Sequence, residues 1–213
     1  DLIVSRGLGD VYKRQAVTIT DRSIAASLLN SLDGNTSGTV DAVLVTTLTG
    51  TAAAINTAYA STGISFLGIE AITITDTSIA ASVLNTLDGN TSGIVDAGTV
   101  TTLTGSAAEI NTAYSSNGIS NLGNTAVTIT DTSIAASVLN TLDGNTSGIV
   151  DAGTVTTLSG SAADINTAYS SNGISNLGNA AVNLSGANTV SQINSVGLSM
   201  FLANPITLKD QHY

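Results

Sequence analysis

The sequence predicts a solenoid with coils of about 27 residues, either β-helix-like or α/β in the manner of leucine-rich repeats. Each coil is expected to hold short strands and a short helix. Three observations carry this prediction. A 55-residue unit recurs three times, each unit divides into two similar halves, and hydrophobic periodicity switches from two to about four within each half.

The repeats run 16–70, 71–125 and 126–180, opening with "AVTITDRSIAAS", "AITITDTSIAAS" and "AVTITDTSIAAS". The second and third copies differ at four positions: Ile72/Val127, Thr104/Ser159, Glu109/Asp164 and Thr125/Ala180. Residues 181–213 begin with "AVNLSGANTVSQIN" and read as a degenerate partial repeat or a C-terminal cap. Within a unit, "SIAASVLNTLDGNTSGI" answers to "SAAEINTAYSSNGI" one coil further on.

Each element has a local reason. Val127 and Ile129 alternate with Thr128 and Thr130, the pattern of a half-buried strand. Ile79, Val83 and Leu87 recur every four residues, which predicts a short helix capped by Asp76 or Ser78 and ended by Gly89. In the second half Ser106 and Glu109 have capping-box spacing, with Ala107, Ile110 and Tyr114 on one face. "GISNLGN" then turns Ile119 and Leu122 inward. No such coil buries its apolar face alone, so neighbouring repeats of the chain are its first partners.

Composition agrees with a thin body. Of 213 residues 42% are hydrophobic, yet aromatics make up 3%, so the core is built from small aliphatics. Charged residues are 9%, leaving Ser, Thr and Asn to cover the surface. The net charge of −10 disfavours nucleic acid, which is bound through clustered Lys and Arg. No apolar run reaches the ~18 residues needed to span a bilayer, so no membrane insertion is expected.

Residues 1–15, "DLIVSRGLGDVYKRQ", hold three of the five basic residues and match no repeat. The run resembles translated sequencing-adapter DNA, and the expectation is an internal fragment of a longer protein. Setting it aside removes Asp1 and Asp10 from fifteen acids and three cations from five, so the remainder carries 13 against 2, or −11.

The repeat pattern, "VTITDTSIAASVLNTLDG…VTTLTGSAAEINTAY…GISNLGN", resembles the strand-rich tandem repeats of very long surface or secreted proteins of aquatic bacteria. The resemblance covers residues 16–194. It implies an extracellular or cell-surface location and a structural or adhesive role, with a surface, glycan or protein as partner.

Two alternative functions follow from spacing. "DGNTSGIVD" has the first half of an EF-hand loop, placing candidate calcium ligands at Asp33, Asn35, Ser37 and Asp41, at Asp88, Asn90, Ser92 and Asp96, and at Asp143, Asn145, Ser147 and Asp151. The twelfth position is Leu44, Thr99 or Thr154 instead of a bidentate Glu, and a strand-like run follows where an EF-hand has its second helix. A plain turn explains the same letters. The second alternative is ice binding through a flat Thr face, Thr18/Thr20, Thr73/Thr75 and Thr128/Thr130, if equivalent residues stack in ranks. Tyr59, Tyr114 and Tyr169 read as core or edge fillers, with a ligand-stacking ladder as the alternative. His212 is the lone histidine and there is no Cys, so nothing builds a nucleophilic triad or zinc site, and no catalysis or cofactor is expected.

Overall fold

The computed structural model describes residues 14–178 and 180–203. His212, Lys209 and most of the 1–15 segment lie outside them. The chain alternates short strands and helices, and every strand pairing given below is parallel.

Two compact units are distinguished: residues up to Val100 with Ser116–Leu122, and Thr101–Ser115 with the residues from Gly123 onward. The first contains β1 (Val17–Thr18), β2 (Ser23–Ala25), α1 (Ala26–Asn35), β3 (Val40–Asp41), β4 (Thr47–Gly50) and α2 (Ala52–Ala60). It continues with β5 (Ile64–Ser65), β6 (Ala71–Ile74), β7 (Ser78–Ala80), α3 (Ala81–Asn90) and β8 (Val95–Asp96), and includes β10 (Ile119–Ser120). Strands β1, β3 and β5 pair in that order, as do β2, β4, β6, β8 and β10.

The second unit contains β9 (Thr102–Gly105), α4 (Ala107–Ser115), β11 (Ala126–Ile129), β12 (Ser133–Ala135), α5 (Ala136–Asn145) and β13 (Val150–Asp151). Then come β14 (Thr157–Gly160), α6 (Ala162–Ser170), β15 (Ile174–Ser175), β16 (Ala181–Leu184) and α7 (Val190–Ala203). Here β9, β11, β13 and β15 form one parallel series, and β12, β14 and β16 another.

Registers correct the step length expected from the half-repeats. Ile24 pairs with Leu48, Leu48 with Ile72, Ile72 with Val95 and Val95 with Ile119, advances of 24, 24, 23 and 24. In the second unit Leu103, Val127, Val150 and Ile174 advance by 24, 23 and 24. Two such steps, 47 or 48 residues, fall seven or eight short of the 55-residue repeat, and seven residues separate Val127 from Ile134, the inward residues of successive strands β11 and β12. Each repeat therefore moves the pattern on by one sheet. The internal homology counted sequence copies, whereas the hydrogen bonds count steps.

The inward rows are the core. Leu48, Ile72, Val95, Leu103, Val127, Val150 and Leu158 are fully or almost fully buried. Helices close the interior with small faces: Ala81, Leu84 and Leu87 in α3, and Ala107, Ile110 and Ala113 in α4. Ala113 takes the place expected of Tyr114, which is half-buried. Leu122 is buried as expected, while Ile119, last in its sheet, is half-covered.

The first helix of each repeat begins later than its periodicity suggests. Ser-Ile-Ala is a strand in all three copies, because Ile24 and Ile134 occupy inward rows against Leu48 and Leu158. Neither Asp76 nor Ser78 caps α3; its N-cap is Ala80, and Gly89 lies inside the helix instead of ending it. The expected box at α4 forms: the Ser106 backbone N–H donates to Glu109 at 2.9 Å, and the Glu109 N–H to the Ser106 hydroxyl at 3.3 Å.

Candidate functional site: the turns and polar rows of the repeat

Each repeat closes on two short hydroxyl–x–Gly turns. In the first, Thr91 Oγ1 donates to the Glu70 carbonyl at 2.7 Å and accepts the Gly93 N–H at 3.0 Å. A Cβ on Gly93 would lie 2.4 Å from the Glu70 carbonyl oxygen, so the chains pass too closely for any other residue. Thr146 and Gly148 repeat the arrangement against Thr125.

The second turn holds the aspartates of the suggested calcium loop. Ser61 Oγ donates to Asp33 at 2.6 Å, Ser116 to Asp88 at 2.7 Å and Ser171 to Asp143 at 2.7 Å. Each hydroxyl also accepts the N–H of the glycine two residues on, Gly63, Gly118 or Gly173. The carboxylates therefore link successive steps, each to a serine at i+28.

The other loop positions are dispersed. Asn35, Asn90 and Asn145 end helices, and Asn90 and Asn145 donate to Asn56 and Asn111 at 3.2 and 3.1 Å. Ser92 and Ser147 donate to the Gly68 and Gly123 carbonyls, while Ser37 sits in the equivalent turn. Asp41, Asp96 and Asp151 stand in strands and accept the backbone N–H of Val43, Gly98 and Gly153 at 3.0 Å. Asp96 and Asp151 also accept from Asn121 and Asn176 at 2.7 and 3.0 Å. Helix end, turn and strand thus carry the loop positions, and the two carboxylates of each loop bond to different partners, Asp88 to Ser116 and Asp96 to Gly98 and Asn121. Among the described residues no three His, Cys, Asp or Glu side chains converge.

The Thr positions need correction. Thr18 is opposite Asp41, Thr73 lies between Thr49 and Asp96, and Thr128 between Thr104 and Asp151. Because 55 is not a multiple of the step, equivalent threonines never neighbour one another in these registers. The outer rows read Thr49, Thr73, Asp96, Ser120 and Thr104, Thr128, Asp151, Ser175, hydroxyls broken by one carboxylate. Thr20, Thr75 and Thr130 are exposed just beyond their strands.

Asp76 and Asp131 have a role that sequence reading missed. Their carboxylates accept the first helical N–H of α2 and α4, from Ala52 and Ala107, both at 2.7 Å. An acceptor at a helix start satisfies an orphan donor and meets the positive end of the helix dipole. Donor and acceptor are separated by a whole step of the fold, so no local pattern reveals the bond.

The tyrosines occupy three different environments. Tyr59 donates to Glu70, a residue 1% exposed whose carboxyl also accepts the Gly68 and Ile69 N–H groups at 2.9 and 3.0 Å. Burial raises the Tyr59 pKa well above the usual phenol value, and the Glu70 bond and charge raise it further. Tyr114 is also raised, chiefly by burial, with the Thr146 hydroxyl working the other way. Tyr169 is 7% exposed and raised by burial, and its hydroxyl finds no partner among the described residues. Ala180 stands where Glu70 and Thr125 stand in the other repeats, and Phe201 where Thr91 and Thr146 stand. A cavity of about 430 Å³ opens beside Tyr169, against Ile174, Asn176 and Leu177.

These features define the chain as an α/β repeat protein. Comparison with known protein families, with curated proteins and with solved structures gives no match. No helix among the described residues is long and apolar enough to cross a membrane.

Proposed function

We propose that this chain is a structural and adhesive repeat segment, a spacer or stalk, of a large extracellular or cell-surface protein, its 24-residue steps being windings of one solenoid. The observation that carries this is the constancy of the strand register: paired residue numbers differ by 23 or 24 throughout both units. A segment that adds one parallel strand per winding gains length in fixed increments, which is what a spacer requires. Outward rows of Thr, Asp and Ser give its sides an acidic, hydroxyl-rich surface that repels other copies and anionic membranes. Adhesion then falls to polar ligands such as glycans, met by the ladder of hydroxyl, carboxamide and carboxylate groups.

The test varies the repeat number. Chains with two, three or four copies of residues 71–125, tethered by one terminus to a flat support, carry a label at the other. The label should rise by about 11 Å per repeat, since each 55-residue unit holds roughly 2.3 steps of ~4.8 Å each. A height that ignores repeat number contradicts the spacer role.

A further inference from the structure

We propose that the third repeat binds a small organic carboxylate beside Tyr169, where the first repeat carries the side chain of Glu70. The first repeat shows the chemistry of the place. There the Glu70 carboxyl accepts the Tyr59 hydroxyl and the N–H groups of Gly68 and Ile69. Glu70 is buried, so the fold builds a carboxylate site and fills it from within the chain. The second repeat fills it differently: Thr125 replaces Glu70 and is buried, and the Tyr114 hydroxyl meets that of Thr146.

The third repeat keeps the tyrosine and loses its acceptor. Residue 180 is Ala, 3% exposed, and Phe201 stands where Thr91 and Thr146 stand, so these two positions offer Tyr169 neither a carboxylate nor a hydroxyl. The Tyr169 side chain is buried and its hydroxyl has no partner among the described residues. Leaving a buried donor unpaired is costly, and a ligand oxygen that accepts from it removes that cost.

Space for such a ligand lies alongside. The cavity of about 430 Å³ is lined by Tyr169, Ala168, Ile174, Asn176, Leu177 and Gly178. Gly178 is the counterpart of Gly68, whose N–H bonds Glu70 in the first repeat. Phenol and backbone N–H suit a carboxylate head, while Ala168, Ile174 and Leu177 suit a short aliphatic or aromatic body. Net charge does not forbid it, because the first repeat buries a carboxylate at the same place in the same acidic chain. Burial raises the Tyr169 pKa, which keeps the phenol a donor through neutral pH. Every residue of the pocket lies in the second unit, so the site is independent of the spacer reading.

Titration of hexanoate, benzoate and hexanol into the isotope-labelled full chain, followed by amide resonances, tests this. The Leu177 and Gly178 signals should shift saturably with either carboxylate, and hexanol should bind about tenfold more weakly or worse. Tyr169→Phe should weaken hexanoate binding about tenfold. Ala180→Glu, which supplies the carboxylate from the chain as Glu70 does, should abolish binding and raise the thermal midpoint. Absence of a saturable shift at about 10 mM carboxylate overturns the proposal. Equal affinity for hexanol and hexanoate does the same, showing a merely apolar cavity, as does a Tyr169→Phe chain that binds hexanoate unchanged. Tyr169→Phe decides the matter even where Ala180→Glu fails to fold.

Discussion

Asp88 and Ser116 lie 28 residues apart and share a 2.7 Å hydrogen bond, with Gly118 so close that a Cβ there would sit 1.9 Å from Asp88 Oδ1. The bond ties the end of α3 to the turn after α4 and explains why an aspartate, a serine and a glycine keep their spacing in every repeat.

Three glycines of one repeat should respond differently to alanine. Gly93→Ala drives a Cβ onto the Glu70 carbonyl, a backbone atom that cannot step aside, and should cost about 3 kcal/mol. Gly118→Ala displaces only the Asp88 carboxylate and should cost about 1 kcal/mol, the net worth of one hydrogen bond. Gly89, inside α3 with open space around it, should gain about 0.5–1 kcal/mol as alanine. Urea unfolding of the three variants checks the order; a Gly93→Ala chain as stable as Gly89→Ala contradicts it.

Tyr59→Phe and Tyr169→Phe should have opposite signs. The first leaves Glu70 short of a donor and should cost about 1–2 kcal/mol; the second removes an unpartnered buried hydroxyl and should be neutral or slightly stabilising. Both phenols also set an alkaline limit. A raised folded pKa means stability that is complete below the unfolded value near 10 and declines as pH rises above it. Thermal midpoints measured from pH 8 to 11 should fall above pH 10, and Tyr59→Phe should flatten that fall.

Asp131→Ala removes the carboxylate that accepts the Ala107 N–H and should cost about 1 kcal/mol, the usual value of a lost N-cap. Amide exchange localises the effect: protection should drop in the first turn of α4, one step upstream, more than around residue 131. Equal losses at both places contradict the capping role.

Calcium should leave the thermal midpoint unchanged at millimolar concentration, because Asp88 and Asp96 are committed to Ser116, Gly98 and Asn121. A rise of several degrees would restore the EF-hand reading of the loop.

Much of this architecture was legible in the sequence, and the misses share one cause. The Val127/Ile129 alternation and the Ser106–Glu109 box are local, and both hold. What failed depended on the step between paired strands. Duplication set a 55-residue period while the registers advance by 24, so Thr18, Thr73 and Thr128 are equivalent by descent yet never stacked. The same mismatch hid Asp131 as the cap of a helix one step earlier. Ser78–Ala80 continued the helical period smoothly into α3, so only tertiary pairing could assign it to a strand.

Small-angle scattering from a chain lacking residues 71–125 tests the stacked windings most directly. Deleting one whole repeat joins near-identical sequences, so the pairing survives. If parallel 24-residue windings pile on one axis, the maximum dimension falls by about 11 Å and the cross-section stays constant. An unchanged length with a thinner cross-section, or the profile of separate beads, would show that the windings do not share an axis.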